Sequence, residues 1–246
     1  MSRNSLVFVA VVLLFALAFF LPRRESSFEN PVPLVGSVAD FVARATLGAE
    51  GSFDRGDYRT ALRKIEEETA DAAFQKEYGT LPGKLEDPVL AKAVADAGAA
   101  FVAAADESAK VAALNRQATA EFDLAERLSY SEEDGAGVLS IRSHLRSIVL
   151  SEDSVKLKPT AAAHRQMGIS LMELGAEPSV AILSFDAASA LDPKDPIPFF
   201  RKGLALSSEG KSEEAVKSYL AAIEADPRFE RAYVNLGYEY LGMDRK

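Results

Sequence analysis

Apolar positions in this 246-residue chain follow three patterns. The first is an unbroken run, Leu6 to Leu21 (LVFVAVVLLFALAFFL), with no polar face at any helical register. Sixteen residues as helix reach ~24 Å, against a hydrocarbon core of ~30 Å. Arg3, Arg23 and Arg24 flank the run and can snorkel toward headgroups. The run predicts a transmembrane or signal-anchor helix over 1–21. Ala16-Leu17-Ala18 offers the alternative of a cleaved secretory signal, leaving Phe19 as the first mature residue. Against cleavage, the segment before the run carries only Arg3, and the apolar run continues through Phe19, Phe20 and Leu21. Basic residues are nearly balanced across the run, which leaves the sidedness of the remaining chain open.

The second pattern is a helical period. Residues 22–35, with three prolines and two serines, read as a linker. Residues 36–150 then read as an α-helical region in which degenerate repeats are one alternative and a generic amphipathic hairpin the other. Val38 to Phe74 is expected to form a helical hairpin turning at Gly56-Asp57, with Tyr58, Ala61, Leu62 and Ile65 on one face. Tyr78 to Asp87 reads as a loop. From Pro88 to about Leu128, small and apolar residues alternate by four and three: Leu90, Val94, Ala97, Phe101, Ala104, Ser108, Val111, Asn115, Ala118, Phe122 and Ala125. One continuous helix with an intramolecular seam is the expectation. Ser131 to Gly137 breaks it, Val138 to Leu150 is a short helix, and Ser151 to Pro159 connects onward. No stretch alternates with the period of two that a half-buried strand requires, so the fold class is all-α.

The third pattern is a recurrence. Gly203 and Gly237, Ala181 and Ala215, Phe185 and Tyr219, Ala188 and Ala222, and Pro193 and Pro227 are each thirty-four residues apart. Gly168 extends the series backward, with one extra residue near Ala176-Glu177. A period of this length marks stacked helix–turn–helix units. Residues 160–246 resemble the tetratricopeptide repeat (TPR) family, with about two and a half repeats: Ala161 to Pro193, Ile197 to Pro227, and a third unit from Glu230 that holds only its first helix. The resemblance implies an α-solenoid whose first helices, A, line a trough, while Gly168, Gly203 and Gly237 admit the second helices, B. It also implies protein–protein recognition through trough positions Arg165, Ile169 and Met172 in the first unit, Arg201, Leu204 and Ser207 in the second, and Arg231, Asn235 and Tyr238 in the third. Three arginines in an apolar-lined trough suit a carboxylate-bearing peptide. The alternative is that they are solvated or paired with local acids. The family's chaperone-tail clamp uses asparagines where Ile169 and Arg201 stand here, which counts against that particular tail.

Composition narrows the chemistry. A net charge of −9 speaks against nucleic-acid binding, which needs a basic face. There is no cysteine, and His144 and His164 are the only histidines, so thiolate chemistry and His-rich metal sites are excluded. Ala205 to Ser212 (ALSSEGKS) fits a loose phosphate-loop pattern, but no strand precedes it and Glu209 opposes an anion. His144, between Arg142 and Arg146, is expected to be exposed, and His164 to be a packing residue. No catalytic, cofactor-binding or metal-binding residues are assigned, and no cofactor is expected. The expected function is therefore a membrane-anchored interaction scaffold or adaptor, an accessory subunit of a membrane complex being one form of it. A secreted or periplasmic chaperone or assembly factor is the alternative, and an enzyme with its site in 36–150 finds no supporting constellation. Expected partners are another protein or peptide, membrane-complex subunits, the membrane itself through residues 6–21, and a second copy of the chain; the aromatic last helix is expected to be covered by residues of the N-terminal half, by that second copy or by a partner.

Overall fold

The computed structural model describes residues 57–70, 88–131 and 136–243. The apolar run 6–21, the 22–35 linker, the first half of the 38–74 hairpin and the 78–87 loop lie outside the described residues. Among the described residues every regular element is an α-helix: α1 Tyr58–Thr69, α2 Pro88–Ala103, α3 Glu107–Ser129, α4 Ala136–Leu157, α5 Ala161–Glu173, α6 Pro178–Leu191, α7 Pro196–Ser208, α8 Ser212–Ala225 and α9 Glu230–Met243. No helix among them is long and apolar enough to cross a membrane. The chain divides into two compact units.

In the first unit, Asp57 accepts a hydrogen bond from the Thr60 N–H at 3.1 Å and so caps α1. Tyr58, Ala61, Ile65 and Thr69 are buried along one face of that helix. The same unit holds residues 124–131 and 136–145. There Ser140 Oγ donates to the Ala125 carbonyl at 2.8 Å, which lets the two backbones approach closely.

His144 is buried rather than exposed, at 4% of its free surface, with its Nε2 3.9 Å from Glu126. The flanking arginines made a solvated face the natural expectation. The helix instead turns Arg142 and Arg146 to its margins and the imidazole inward with Ser143 and Leu145. Burial pushes the His144 pKa down from 6.5 to about 4. The unfolded chain therefore binds a proton at a pH where the native chain does not. Stability is full above pH 6.5 and falls as pH drops from 6.5 toward 4, by up to about 3 kcal/mol at the low end. Urea titrations followed by far-UV circular dichroism should show this loss, and His144→Gln should flatten it over the same interval.

The second unit contains 88–123 and 146–243. The expected single helix from Pro88 to Leu128 is broken at residues 104–106. Asp106 accepts from the Ala109 N–H at 2.8 Å, starting α3 with a side-chain cap that the even spacing of apolar residues conceals. Ser108 is consequently exposed, whereas Val111 and Ala118 are buried and Asn115 is half-buried. Residues 151–157, expected to be a connector, continue α4. Ser147, Ser151 and Ser154 lie buried along this part of the helix. Ser147 Oγ donates to the Ala118 carbonyl at 2.8 Å, and Ser154 Oγ to Asn115 Oδ1 at 2.6 Å. Asn115 in turn donates to Thr160 Oγ1, which accepts from the Ala163 N–H and caps α5. Ser170 Oγ of α5 donates to Ser147 Oγ at 3.0 Å. Buried hydroxyls thus knit α3, α4 and α5 together, each bond satisfying groups that would be costly to bury alone.

From α5 onward each helix packs on the next, and alternate helices α5, α7 and α9 also touch. The α5–α6 and α7–α8 turns share one construction. Gly175 and Gly210 adopt φ of 69° and 74°. In the first turn Ala176 N–H donates to the Leu171 carbonyl and Gly175 N–H to Met172; in the second Lys211 N–H donates to Leu206 and Gly210 N–H to Ser207. This paired closure uses a left-handed residue after the helix, where glycine carries no Cβ penalty. Asp195 caps α7 by accepting from the Ile197 N–H at 3.0 Å, ahead of Pro196 in the first helical turn. The phosphate-loop look-alike is this turn: Ala205 to Ser208 finish α7, and Lys211 Nζ lies 3.1 Å from Glu209.

Candidate protein-binding surface

The repeat works through one contact made twice. A Cβ added at Gly168 of α5 would stand 2.6 Å from Phe185 Cε1 of α6, and one added at Gly203 of α7 would stand 2.6 Å from Tyr219 Cδ1 of α8. Both rings are essentially fully buried, as are Ala181, Ala188, Ala215 and Ala222 beside them. Each B helix presses an aromatic ring into the gap left by an A-helix glycine, and alanines before and after it keep the backbones close. The second ring is further held by Phe200, with centroids 5.9 Å apart, and Phe200 meets Phe229 edge-on at 5.2 Å. Tyr219 also reaches polar groups. Its hydroxyl hydrogen-bonds with Ser207, whose Oγ donates to Glu239 of α9. Burial and the Glu239 charge push the Tyr219 pKa up to about 12.

This stacking lines up the A helices and places the sequence-derived trough residues. Ile169 is buried, Met172 and Leu204 are half-buried, and Tyr238 is 68% exposed. Counted from the repeat glycines, the arginines do not occupy equivalent positions. Arg165 stands three before Gly168, Arg201 two before Gly203, and Arg231 six before Gly237. Two are engaged within the fold: Arg165 Nη1 lies 2.6 Å from Asp195, the cap of α7, and Arg201 Nη1 lies 3.2 Å from Glu173 of α5. They clip successive A helices together. Arg231 is exposed, with no ion pair among the described residues. Asn235 turns its amide back to the Arg231 carbonyl at 2.9 Å. The pairing-with-local-acids alternative therefore describes two of the three arginines, and of the apolar candidates Ile169 is buried, Leu204 packs against the core and Tyr238 is exposed.

Among the described residues no group of three or more acidic or histidine side chains is arranged to hold a metal ion. His164 is half-buried in the first turn of α5, and burial lowers its pKa. The buried serines of α4 are the feature that reading for apolar residues missed. The signal was available: Ser140, Ser143, Ser147, Ser151 and Ser154 recur by three, four, four and three.

A family model described as TPR repeat matches residues 203–244. The match spans α8 and α9 and begins at Gly203, the glycine under the Tyr219 ring. Among curated proteins, the chain is 34% identical over 95 residues to the peroxisomal targeting signal receptor of Candida albicans, covering 37% of this chain and 16% of the receptor. It is 38% identical over 61 residues to the TPR repeat-containing thioredoxin TTL4 of Arabidopsis thaliana, covering 25% of this chain and 9% of that protein. The chain thus spans only a small part of either relative. Among solved structures, a thermophilic TPR protein of Thermus thermophilus superposes with a TM-score of 0.48 at 19% identity, covering 83% of this chain and 99% of that one.

Proposed function

We propose that this chain is a membrane-anchored protein-interaction scaffold that holds a partner protein or peptide on the trough face of its TPR repeats. The observation that carries the reading is the repeated glycine–aromatic seat. It sets α5, α7 and α9 side by side and leaves Met172 half-buried and Tyr238 exposed, while Leu204 packs against the core. The sequence relatives support the class: the Candida protein is named as a receptor for a targeting signal. With Arg165 and Arg201 already paired to acids, the trough favours a partner segment with apolar side chains over one held mainly by its carboxylates. Anchoring rests on the Leu6–Leu21 run.

The test uses the full chain in its own membranes. Deleting residues 1–21 is expected to move it from the membrane to the soluble fraction, and detergent extraction of the intact chain to return a stoichiometric partner. The double variant Met172→Glu, Tyr238→Glu is expected to lose that partner at least tenfold while its helix content stays unchanged. A partner retained at full occupancy by the folded double variant would refute the trough. A mature N-terminus at Phe19, read by terminal sequencing, would replace the anchor with the secreted or periplasmic alternative that Ala16-Leu17-Ala18 favours.

A further inference from the structure

The hairpins α5–α6 and α7–α8 are closed internally and joined to each other by different means. Within each, a fully buried ring is pressed onto a glycine, Phe185 on Gly168 and Tyr219 on Gly203. Close packing of this kind makes each hairpin stiff. Between the hairpins, α7 meets both helices of the first one. Its contact with α6 is the larger and is apolar: Ile182 of α6 packs against the cluster that holds Phe200, Leu206 and Tyr219. The connecting turn ties that side further, since the Lys194 N–H donates to Asp192 Oδ1 at 3.1 Å and the Asp195 N–H to the Asp192 carbonyl at 3.3 Å. The contact of α7 with α5 is small, and two ion pairs cross it in opposite senses. Arg165, in the first half of α5, reaches Asp195 at the start of α7, while Arg201 of α7 reaches back to Glu173 at the end of α5. Both pairs are partly open to water, with side chains 35% and 13% exposed in the first and 25% and 34% in the second.

The geometry points to a salt-sensitive hinge between these two hairpins, with the α6–α7 contact as its pivot and the two arginine–carboxylate pairs as a clasp that sets the spacing of α5 and α7. Apolar burial does not depend on charge, whereas salt screens charges that water can reach. Partly exposed pairs hold weakly, so the clasp opens without unfolding either hairpin. Once it is open, the two stiff hairpins turn about the pivot and α5 moves away from α7. Asp195 couples the clasp to the local fold: its Oδ1 accepts from the Ile197 N–H and starts α7, while its Oδ2 holds Arg165. The hinge controls the width of the trough, so its use by a partner rests on the trough reading; its mechanics do not.

The chain has no cysteine of its own, so two can be introduced for spin labels, at Ala162 of α5 and Glu230 of α9, both exposed. Helix α9 packs on α8 and moves with the second hairpin. Double electron–electron resonance on the full chain in detergent then reads the distance across the array. Raising sodium chloride from about 0.1 M to about 1 M shortens the Debye length from about 10 Å to about 3 Å and is expected to lengthen the mean distance. Arg201→Glu sets a like charge against Glu173. Its distance is expected to exceed that of the wild type at low salt and to shorten as salt rises. Adding Glu173→Arg restores an opposite pair and should return both the distance and the sign of its salt response. Asp195→Asn keeps a good helix cap, removes the charge facing Arg165, and should also lengthen the low-salt distance. Lys202→Met breaks the 2.6 Å pair with Asp186 on the pivot side and should leave the distance where it is. A wild-type distance unmoved by salt, or an Arg201→Glu distance equal to that of the wild type, would overturn the hinge. So would an equal shift in Lys202→Met, because the pivot rather than the clasp would then set the spacing. The measurement needs no partner: a rigid array leaves the trough reading standing, and a trough without a partner leaves the hinge standing.

Discussion

Gly203→Leu is expected to unfold the α7–α8–α9 array, while the matching change at Gly237 leaves the fold intact. The two glycines share a repeat position but differ in what faces them. A Cβ at Gly203 meets the Tyr219 ring, which is 1% exposed and held from another side by Phe200, so it has nowhere to go. Overpacking of this kind costs about 1–3 kcal/mol for small insertions and more for a branched side chain. Even Gly203→Ala, which gains about 1 kcal/mol of helix propensity, is expected to lose about 2 kcal/mol net. Gly237→Ala meets open space and should gain up to about 1 kcal/mol. Urea unfolding of the two alanine variants in parallel measures the difference, about 3 kcal/mol between two shifts of opposite sign. Equal midpoints would mean that the ring seat does not hold the hairpins together.

Tyr219→Ala has the second large effect. It removes a ring that touches Gly203 on α7 and lies tilted against Phe200, and whose hydroxyl bonds with Ser207, which in turn donates to Glu239. Large aromatic-to-alanine changes in a packed core cost about 3–5 kcal/mol, through lost transfer energy and the cavity left behind. In a repeat array, stability is close to a sum of nearest-neighbour terms, so the loss falls on α8 and on the docking of α9 together. Tyr219→Phe separates ring from hydroxyl. It keeps the seat filled and forfeits one hydrogen bond, about 1 kcal/mol. An order of effect with Phe near wild type and Ala far below places the energy in the ring. Comparable losses for both would place it in the Ser207–Glu239 link instead.

How much of this was legible beforehand differs between the two halves of the chain. In the first two repeats the paired glycines, alanines and aromatics do the same job at the same spacing, so periodicity located α5 to α9. Upstream there is no second copy to compare. The break at residues 104–106 was hidden because Asp106 caps α3 without disturbing the four-and-three alternation of small residues around it. The continuation of α4 to Leu157 was hidden because its inward face is serine, which reads as a connector unless its hydroxyls are known to find Ala118 and Asn115. His144 was misplaced for a related reason: two flanking arginines outweigh one imidazole in any local reading, whereas packing turned the imidazole inward.

The surface shows the same division. The sequence named residues of the A helices, although at differing offsets from Gly168, Gly203 and Gly237. It did not determine which charges are free, because an arginine's partner lies about thirty residues away: Asp195 for Arg165 and Glu173 for Arg201. By itself, then, the sequence determined the helical class and the thirty-four-residue unit, both carried by side-chain size at fixed spacing, whereas the structure seats each ring on the glycine of its own unit. Only the tertiary structure decided that two arginines are consumed as clips, that a serine face is buried, and that none of the described residues faces Gly237. Those outcomes depend on which distant groups arrive within a few ångströms, and spacing along a chain does not carry that information.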